Sequence, residues 1–454
     1  MTRASAKPVA LVYGIALAGD ALARQLVKRG WRVLVADDDP SAAKQALAQS
    51  VGATLVGKPN AAALAELVEQ SQMICPAPGV PETHAVIAAA VRARVPIRTE
   101  IDLAYEWEQE RPQGPRPILA ITGTDGKTTT TMLVAHILNT AGHRTAAVGN
   151  TEVPFAAALD APDVDVFAVE CSSFRLNWLS SFRAEAAAWL NLAPDHQNWH
   201  TSMPAYEAAK ARIWEHRRAT DVAIGFADDP IVMRNLHAAG GITRTFASSG
   251  ADYFVAGGEL VGPQGVIATV SSMTRALPHD LTNALAAAAL VLESGLADSA
   301  AVATALATFR HPPHRIEPVG VIDGVRWFND SKATSPHAAL TAIRSFDHVV
   351  LLAGGLNKGL DLSSLATEKD RIKAVIGLGR SATDITDAFE GLCPTSVATS
   401  MKEAVSMADE LAVIGDVVLL SPACASFDWY PTGGYPARGD DFRQLVAALA
   451  GKHE

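Results

Sequence analysis

The chain has little cysteine, no surplus of positive charge and no long uninterrupted apolar run, and each lack removes a class of function. Four cysteines stand at Cys75, Cys171, Cys393 and Cys424, and none forms C-x-x-C. That excludes a zinc ribbon or a dithiol site built from neighbouring thiols, and it suits a reducing compartment. The formal net charge is −10, so the basic surface of a general nucleic-acid binder is missing. A locally basic pocket for a small anion is still compatible with that balance. No stretch reaches the roughly 20 apolar residues of a membrane span. Arg3 and Lys7 ahead of "PVALVYGIALAG" have the outline of an export signal, but Asp20 interrupts it and the chain runs on as helix then strand.

What is present is a repeated alternation. Residues 8–39 read as strand (Val9–Tyr13), glycine turn (Gly14, Gly19), amphipathic helix (Ala21–Lys28) and strand (Val33–Ala36) ending in acids, a βαβ unit. The dinucleotide fingerprint is incomplete there, because Ala16 stands where its second glycine belongs. Asp37, Asp38 and Asp39 either hold a ribose hydroxyl or cap the strand end. "MICPAPGVP" (73–81) is a later strand end. A charged, proline-rich break, "YEWEQERPQGPRP", marks a linker near 108–117, and "FRHPPHRIEP" marks a second at 309–318. Between them, and again after the second, apolar strands end in polar residues with helices between. In such sheets ligands sit outside the carboxyl ends of the strands, so the chemistry is expected at those polar ends.

"AITGTDGKTTTTMLVAHIL" (120–138) is the strongest of these ends. Gly126, Lys127 and Thr128 fit the close of a phosphate-binding loop, but Ile121 stands where the first glycine belongs and Gly123 comes later. A glycine loop between strand and helix aims backbone N–H groups at a phosphate. A plain turn whose threonines cap the helix is the competing reading. The other candidates are each two-sided taken alone. Glu170, ending a strand, is a Mg²⁺ ligand or an exposed acid. His196, in "NLAPDHQNWH", is a site group or a structural histidine. Lys210, in "EAAKARIW", looks like a surface helix lysine. Asp330 and Lys332 read as a same-face pair at a strand end, which is an acid and base or a salt bridge. Arg315 is a phosphate clamp or a linker charge.

Together and in this order, these pieces resemble the Mur ligase family, ATP-dependent ligases that build the peptide stem of bacterial cell-wall precursors. The likeness runs along nearly the whole chain. The family loop is G-T-N-G-K-[ST], and "GTDGKT" (123–128) fits it with one change, so the missing glycine at Ile121 is normal there. "HRIE" followed by "NDSKATSP", with "SPACASFD" (421–428) and "RGDDF" (438–442), resembles the glutamate-adding branch.

The resemblance implies an α/β fold of three domains: a Rossmann-like UDP-substrate domain (1–112), a central P-loop ATPase-like domain with a mostly parallel sheet (113–310) and a Rossmann-like C-terminal glutamate domain (311–454). It implies ATP and Mg²⁺, in two sites. The loop Gly123, Thr124, Asp125, Gly126, Lys127, Thr128 and Thr129 would hold ATP, with Asn283 on adenine, Arg315 on phosphates and Asp330 on ribose. Thr128 and Glu170 would hold one Mg²⁺. His196 matches a ligand of the second, and Lys210 matches a lysine the family carbamylates into a metal-binding anion. Lys127, Glu170, His196 and Lys210 are thus the expected catalytic set.

Glutamate would meet Lys332, Thr334, Ser426 and Phe427, with Lys358 on its carboxylate and Tyr435 shaping the pocket. The UDP end would meet Leu17, Ala18, Asp37, Asp38 and Asn150. The implied substrates are UDP-N-acetylmuramoyl-L-alanine and D-glutamate, with L-glutamate or another amino acid as the alternative. A cytoplasmic monomer with no nucleic-acid or membrane partner is expected, and the 309–318 linker is the expected hinge. Four acids depart from the family pattern: Asp125 and Asp280 for asparagine, and Asp38 and Asp39 for a threonine and an arginine. The 428–442 loop is also longer than usual.

Overall fold

Each apolar run named above becomes a strand, and its polar end becomes the start of a loop. A computed structural model describes residues 7–453; Arg3 of the signal-like stretch lies outside them. The first sheet holds β1 (Val9–Tyr13), β2 (Arg32–Asp37), β3 (Leu55–Gly57) and β4 (Met73–Pro76), all parallel in the order β3-β2-β1-β4. The central sheet holds β5 (Ile118–Thr122), β6 (Thr145–Gly149), β7 (Val166–Glu170), β8 (Ala186–Trp189), β9 (Val222–Phe226) and β10 (Ile242–Phe246), parallel in the order β10-β9-β8-β5-β7-β6. Buried side chains cover both its faces: Leu119, Ile121 and Leu133 belong to one cluster, Ala120, Val169 and Trp189 to the other. A parallel sheet needs that double cover, which is why its strands read as continuous apolar runs rather than alternating ones.

A small antiparallel sheet of β11 (Phe254–Ala256), β12 (Glu259–Gly262) and β13 (Gly265–Thr269) follows. The last sheet holds β14 (Glu317–Ile322), β15 (Val325–Asn329), β16 (Val349–Gly354), β17 (Ile372–Leu378), β18 (Thr395–Val397) and β19 (Val417–Leu420), in the order β14-β15-β19-β16-β17-β18. It is parallel except for the β14–β15 hairpin.

The chain forms two compact units. One runs to Leu192 and adds His196–Ala276 and Asp280–Phe309; the other holds Ala193–Asp195, Leu277–His279 and Arg310 onward. The first and central sheets therefore share a unit. The stretch read as a linker between them is tightly held: Glu108 and Arg116 form a bidentate pair with contacts of 2.9 and 2.7 Å, both side chains buried. Arg116 also donates to the carbonyls of Leu159 and Ala161. Breaking such a pair from one side strands a buried charge. Two of the boundaries that differ from the sequence reading bear on the site. The first helix starts at Leu17 rather than Ala21, with Asp20 in its first turn paired to Arg24. β15 ends at Asn329, so Asp330 and Lys332 lie past the strand and strand alternation does not align them.

Candidate active site

β5 ends at Thr122, and the loop Gly123–Gly126 turns the chain into the helix Lys127–Thr140. Gly126 has φ 82°, and a Cβ there would lie 2.6 Å from Asn283 Oδ1, so only glycine fits this turn. Asn191, just past β8, shapes the loop from the neighbouring strand end. Its Oδ1 accepts from the N–H groups of Thr124 and Asp125, at 2.9 Å each. The helix's first-turn N–H groups, at Lys127, Thr128 and Thr129, have no acceptor within the helix. Lys127 folds back over the loop, and its Nζ donates to the carbonyls of Gly123 (2.8 Å) and Thr124 (2.7 Å). This is a preformed anion cradle with its cation in place.

Lys210 comes to the same carbonyl. It lies in the helix Met203–Ala211, and its Nζ donates to Gly123 O at 2.6 Å. Its side chain is 1% exposed, which corrects the surface-lysine reading. Tyr206, one turn earlier on the same helix face, joins the parts. Its ring lies 4.6 Å from Lys210 Nζ, its hydroxyl 3.2 Å from Thr124 Oγ1, and its ring centroid 6.1 Å from that of His196. Lys127, Lys210, His196 and the loop are thus one constellation.

Glu170 ends β7, in register with Ile121 of β5. It is 1% exposed, so the exposed-acid alternative falls. Its Oε1 accepts from Asn150 Nδ2 at 3.0 Å, and its Oε2 is buried with no partner. Asn150, expected at the UDP substrate, is thereby bonded to Glu170. A buried carboxylate oxygen without a donor is costly unless a cation completes it. The donors around it suit a hard divalent ion of the Mg²⁺ type, which takes oxygen ligands. Among the described residues no three His, Cys, Asp or Glu side chains gather as a metal site. The expected ligand set accounts for that, since Thr128 contributes a hydroxyl and Lys210 becomes a ligand only when carbamylated.

His196 has φ 55°, an uncommon conformation for a non-glycine residue. It opens a turn in which its carbonyl accepts from Trp199 and His200 N–H. The turn is latched to the loop after β4. Trp199 Nε1 donates to Pro78 O at 2.9 Å, and Thr201 N donates to Glu82 Oε1 at 2.6 Å. His200 is buried there, its Nε2 2.9 Å from Ser173 Oγ. Burial holds its pKa down at about 4, with Glu82 pulling the other way. An unfolded histidine titrates near 6.5, so between about pH 6.5 and pH 4 the unfolded chain binds the extra proton. Stability that is complete above that window is expected to be lost as pH falls through it, by up to about 1.4 kcal/mol per pH unit. Urea midpoints against pH check this: His200→Gln should flatten the slope in that window, and an unchanged slope would refute it.

Leu17, Ala18, Asp37 and Asp38 line one cavity of about 410 Å³ at the carboxyl end of β1 and β2. Asp37 is already bonded: it accepts from Ile15 N (3.0 Å), Asp39 N (2.9 Å) and Lys44 Nζ (2.7 Å). Burial raises its pKa, but these donors outweigh it and leave the carboxyl below its ordinary range. Asp38 accepts from Tyr13 OH at 2.6 Å and lies 3.1 Å from His84 Nε2. Asp280 is buried and paired with Arg275 at 2.7 and 2.8 Å, which explains an acid in place of the family's asparagine. Nearby on the same helix, Asn283 Oδ1 accepts from Thr130 Oγ1 at 3.3 Å.

In the second unit, polar residues again collect past the strand ends. Asp330 Oδ1 accepts from Ile316 N (3.1 Å) and its Oδ2 from Ser421 Oγ (2.7 Å). Arg315 is flanked by His314 and Ile316, both with positive φ (61° and 48°). Lys332 Nζ stands 3.8 Å over the Tyr435 ring, and Lys358 Nζ lies 3.5 Å from Thr334 Oγ1. Ser426 Oγ is buried without a partner, and Phe427 is exposed. The sequence reading missed the clamp that gathers these loops. Arg438, buried, donates through Nε to Ser331 Oγ (2.9 Å) and through one terminal nitrogen to the carbonyls of Ser331 (2.8 Å) and Cys424 (3.1 Å). Asn191 and Tyr206 were missed likewise; their only sequence signal is proximity to a strand end or to Lys210.

Comparison with known proteins agrees with this geometry. A model of the Mur ligase middle domain matches residues 121–291, and one of the Mur ligase, glutamate ligase domain matches 314–424. A UDP-N-acetylmuramoylalanine–D-glutamate ligase from Frankia casuarinae is 40% identical, covering 97% of this chain and 94% of that one. One from Pelotomaculum thermopropionicum is 37% identical, covering 97% of each. Among solved structures, the UDP-N-acetylmuramate–alanine ligase of Thermotoga maritima superposes with TM-score 0.60 at 18% identity, over 98% of this chain and all of that one. At that identity the likeness speaks for the α/β fold alone.

Proposed function

This chain belongs to the Mur ligase family, and from that premise we infer that its two compact units carry out one ligation. It is an ATP-dependent amide ligase that adds D-glutamate to UDP-N-acetylmuramoyl-L-alanine in peptidoglycan precursor synthesis. ATP phosphorylates the alanyl carboxylate, the glutamate amine attacks the acyl phosphate, and ADP and phosphate leave. The observation that carries the reading is the meeting of Lys127 and Lys210 on the Gly123 carbonyl.

The roles follow from charge. Lys127 exchanges two neutral carbonyls for the anionic phosphoryl in transfer. Thr128, Glu170, His196 and a carbamylated Lys210 would hold Mg²⁺, which would neutralise part of the phosphate charge. Asn283 contacts adenine, Arg315 the phosphates and Asp330 the ribose. Lys332, Thr334, Lys358, Ser426, Phe427 and Tyr435 receive glutamate; the unpartnered Ser426 Oγ supports this. Leu17, Ala18, Asp37 and Asp38 hold the UDP end, with Asn150 positioning Glu170. The 309–318 linker is the proposed hinge of the glutamate domain. No helix among the described residues is long and apolar enough to cross a membrane. ATP and UDP-linked substrates are cytoplasmic metabolites, and on that ground we place the enzyme in the cytoplasm, as a monomer.

Phosphate release with ATP, Mg²⁺ and UDP-N-acetylmuramoyl-L-alanine tests this. Turnover is expected with D-glutamate and not with L-glutamate or without an amino acid. Turnover with L-glutamate would tie the longer 428–442 loop to a changed specificity. Release without any amino acid would overturn the ligase reading.

A further inference from the structure

Arg175 has no role in the scheme above. It lies in the short turn of helix Ser173–Leu176, just past Glu170. Its guanidinium is 6% exposed, and one terminal nitrogen pairs with Glu100 Oε2. Glu100 is itself anchored, its Oε1 accepting from Ala156 N at 2.6 Å. That leaves a rigid guanidinium whose Nε is buried with no partner. It lines the same cavity as Leu17, Ala18, Asp37 and Asp38.

The charges around that cavity single Arg175 out. Lys44, the other cation lining it, is bonded to Asp37. Asp38 is engaged by Tyr13 and His84. A buried donor without an acceptor is costly, and Arg175 lines the cavity in which an anion would supply one. The cavity is also lined by Ala16, Leu17, Ala18 and Gly19, the opening of the helix Leu17–Lys28. No side chain caps that helix at Ala16, so its N–H groups point at a second place for negative charge. A planar guanidinium fork and a helix N-terminus sharing one cavity suit a group with several anionic oxygens.

We propose that Arg175 binds the diphosphate of the UDP substrate, supplying the positive charge that Asp38 and Asp39 cannot. The proposal rests on the reading of this cavity as the UDP site, and the test separates the two. Binding of UDP and of uridine is measured by calorimetry for the wild type, Arg175→Gln, Arg175→Lys, the double variant Glu100→Gln/Arg175→Gln, and Leu17→Trp.

Arg175→Gln should weaken UDP roughly tenfold or more and leave uridine unchanged, with Arg175→Lys in between. The double variant leaves no unpaired buried charge, so the same selective loss in it excludes a folding defect. Leu17→Trp, which fills the cavity, should weaken both ligands. Equal losses for UDP and uridine in the double variant would make Arg175 structural and overturn the proposal. Unchanged UDP binding in Arg175→Gln, with loss in Leu17→Trp, would overturn it alone. Unchanged binding in Leu17→Trp would overturn the cavity reading and the proposal with it.

Discussion

Lys127→Ala is expected to lower kcat by about a thousandfold or more while the protein stays folded. The Lys127 ammonium is held over the loop by two carbonyls, at 2.8 and 2.7 Å. Carbonyls are neutral acceptors, so an arriving phosphate competes for the cation with a full charge and wins. The position is already correct before substrate binds, so little reorganisation opposes the transfer. Removing the amine leaves the cradle's N–H groups in place, and ATP binding should weaken far less than turnover. Lys127→Arg should not restore activity, because a planar fork presents its donors in fixed directions where the loop holds a point charge. Phosphate release and ADP binding measured side by side check this. Activity above a tenth of wild type in Lys127→Ala would remove Lys127 from the transfer step.

Much of this site was legible because it is local. A glycine loop after an apolar strand, and acids or amides at strand ends, are features of consecutive residues, and they single out Gly126, Glu170 and Asp330 as candidates. Burial is not local. Lys210 reads as a surface lysine in an alanine-rich helix, and only packing shows that its face carries Tyr206 and turns inward. Arg175 has no sequence mark, and Arg438 is marked only as the first residue of "RGDDF", which does not show that its guanidinium is buried against the carbonyls of Ser331 and Cys424. Asp330 and Lys332 were set on a strand that ends one residue too soon, because the chain bends where Asp330 accepts from Ile316 and Ser421. The β11–β13 sheet was missed for a related reason. Its strands are only three to five residues long, so the period-2 signal has too few residues to appear. Asp280 departs from the family pattern, and the sequence does not show that Arg275 pairs with it.

Lys210→Ala is expected to cut turnover by on the order of a thousandfold, and acetate should restore part of it. The side chain is 1% exposed, and its Nζ reaches the loop at Gly123 O, 2.6 Å away. An ammonium there adds a second cation to the one Lys127 already provides. A carbamate would reverse that charge and, with Glu170, whose Oε2 lacks a partner, would offer oxygens to Mg²⁺. Truncation to alanine leaves a hole lined by Tyr206, of a size and polarity for a small carboxylate. Acetate entering it would replace the carbamate oxygens, whereas it cannot replace the cation lost in Lys127→Ala. The two variants therefore differ in rescue though they agree in loss. Wild-type activity should also fall in buffer stripped of carbon dioxide and return on adding bicarbonate. Activity retained by Lys210→Arg would show that the position needs a cation, and the carbamate would then be wrong while the site's location stands.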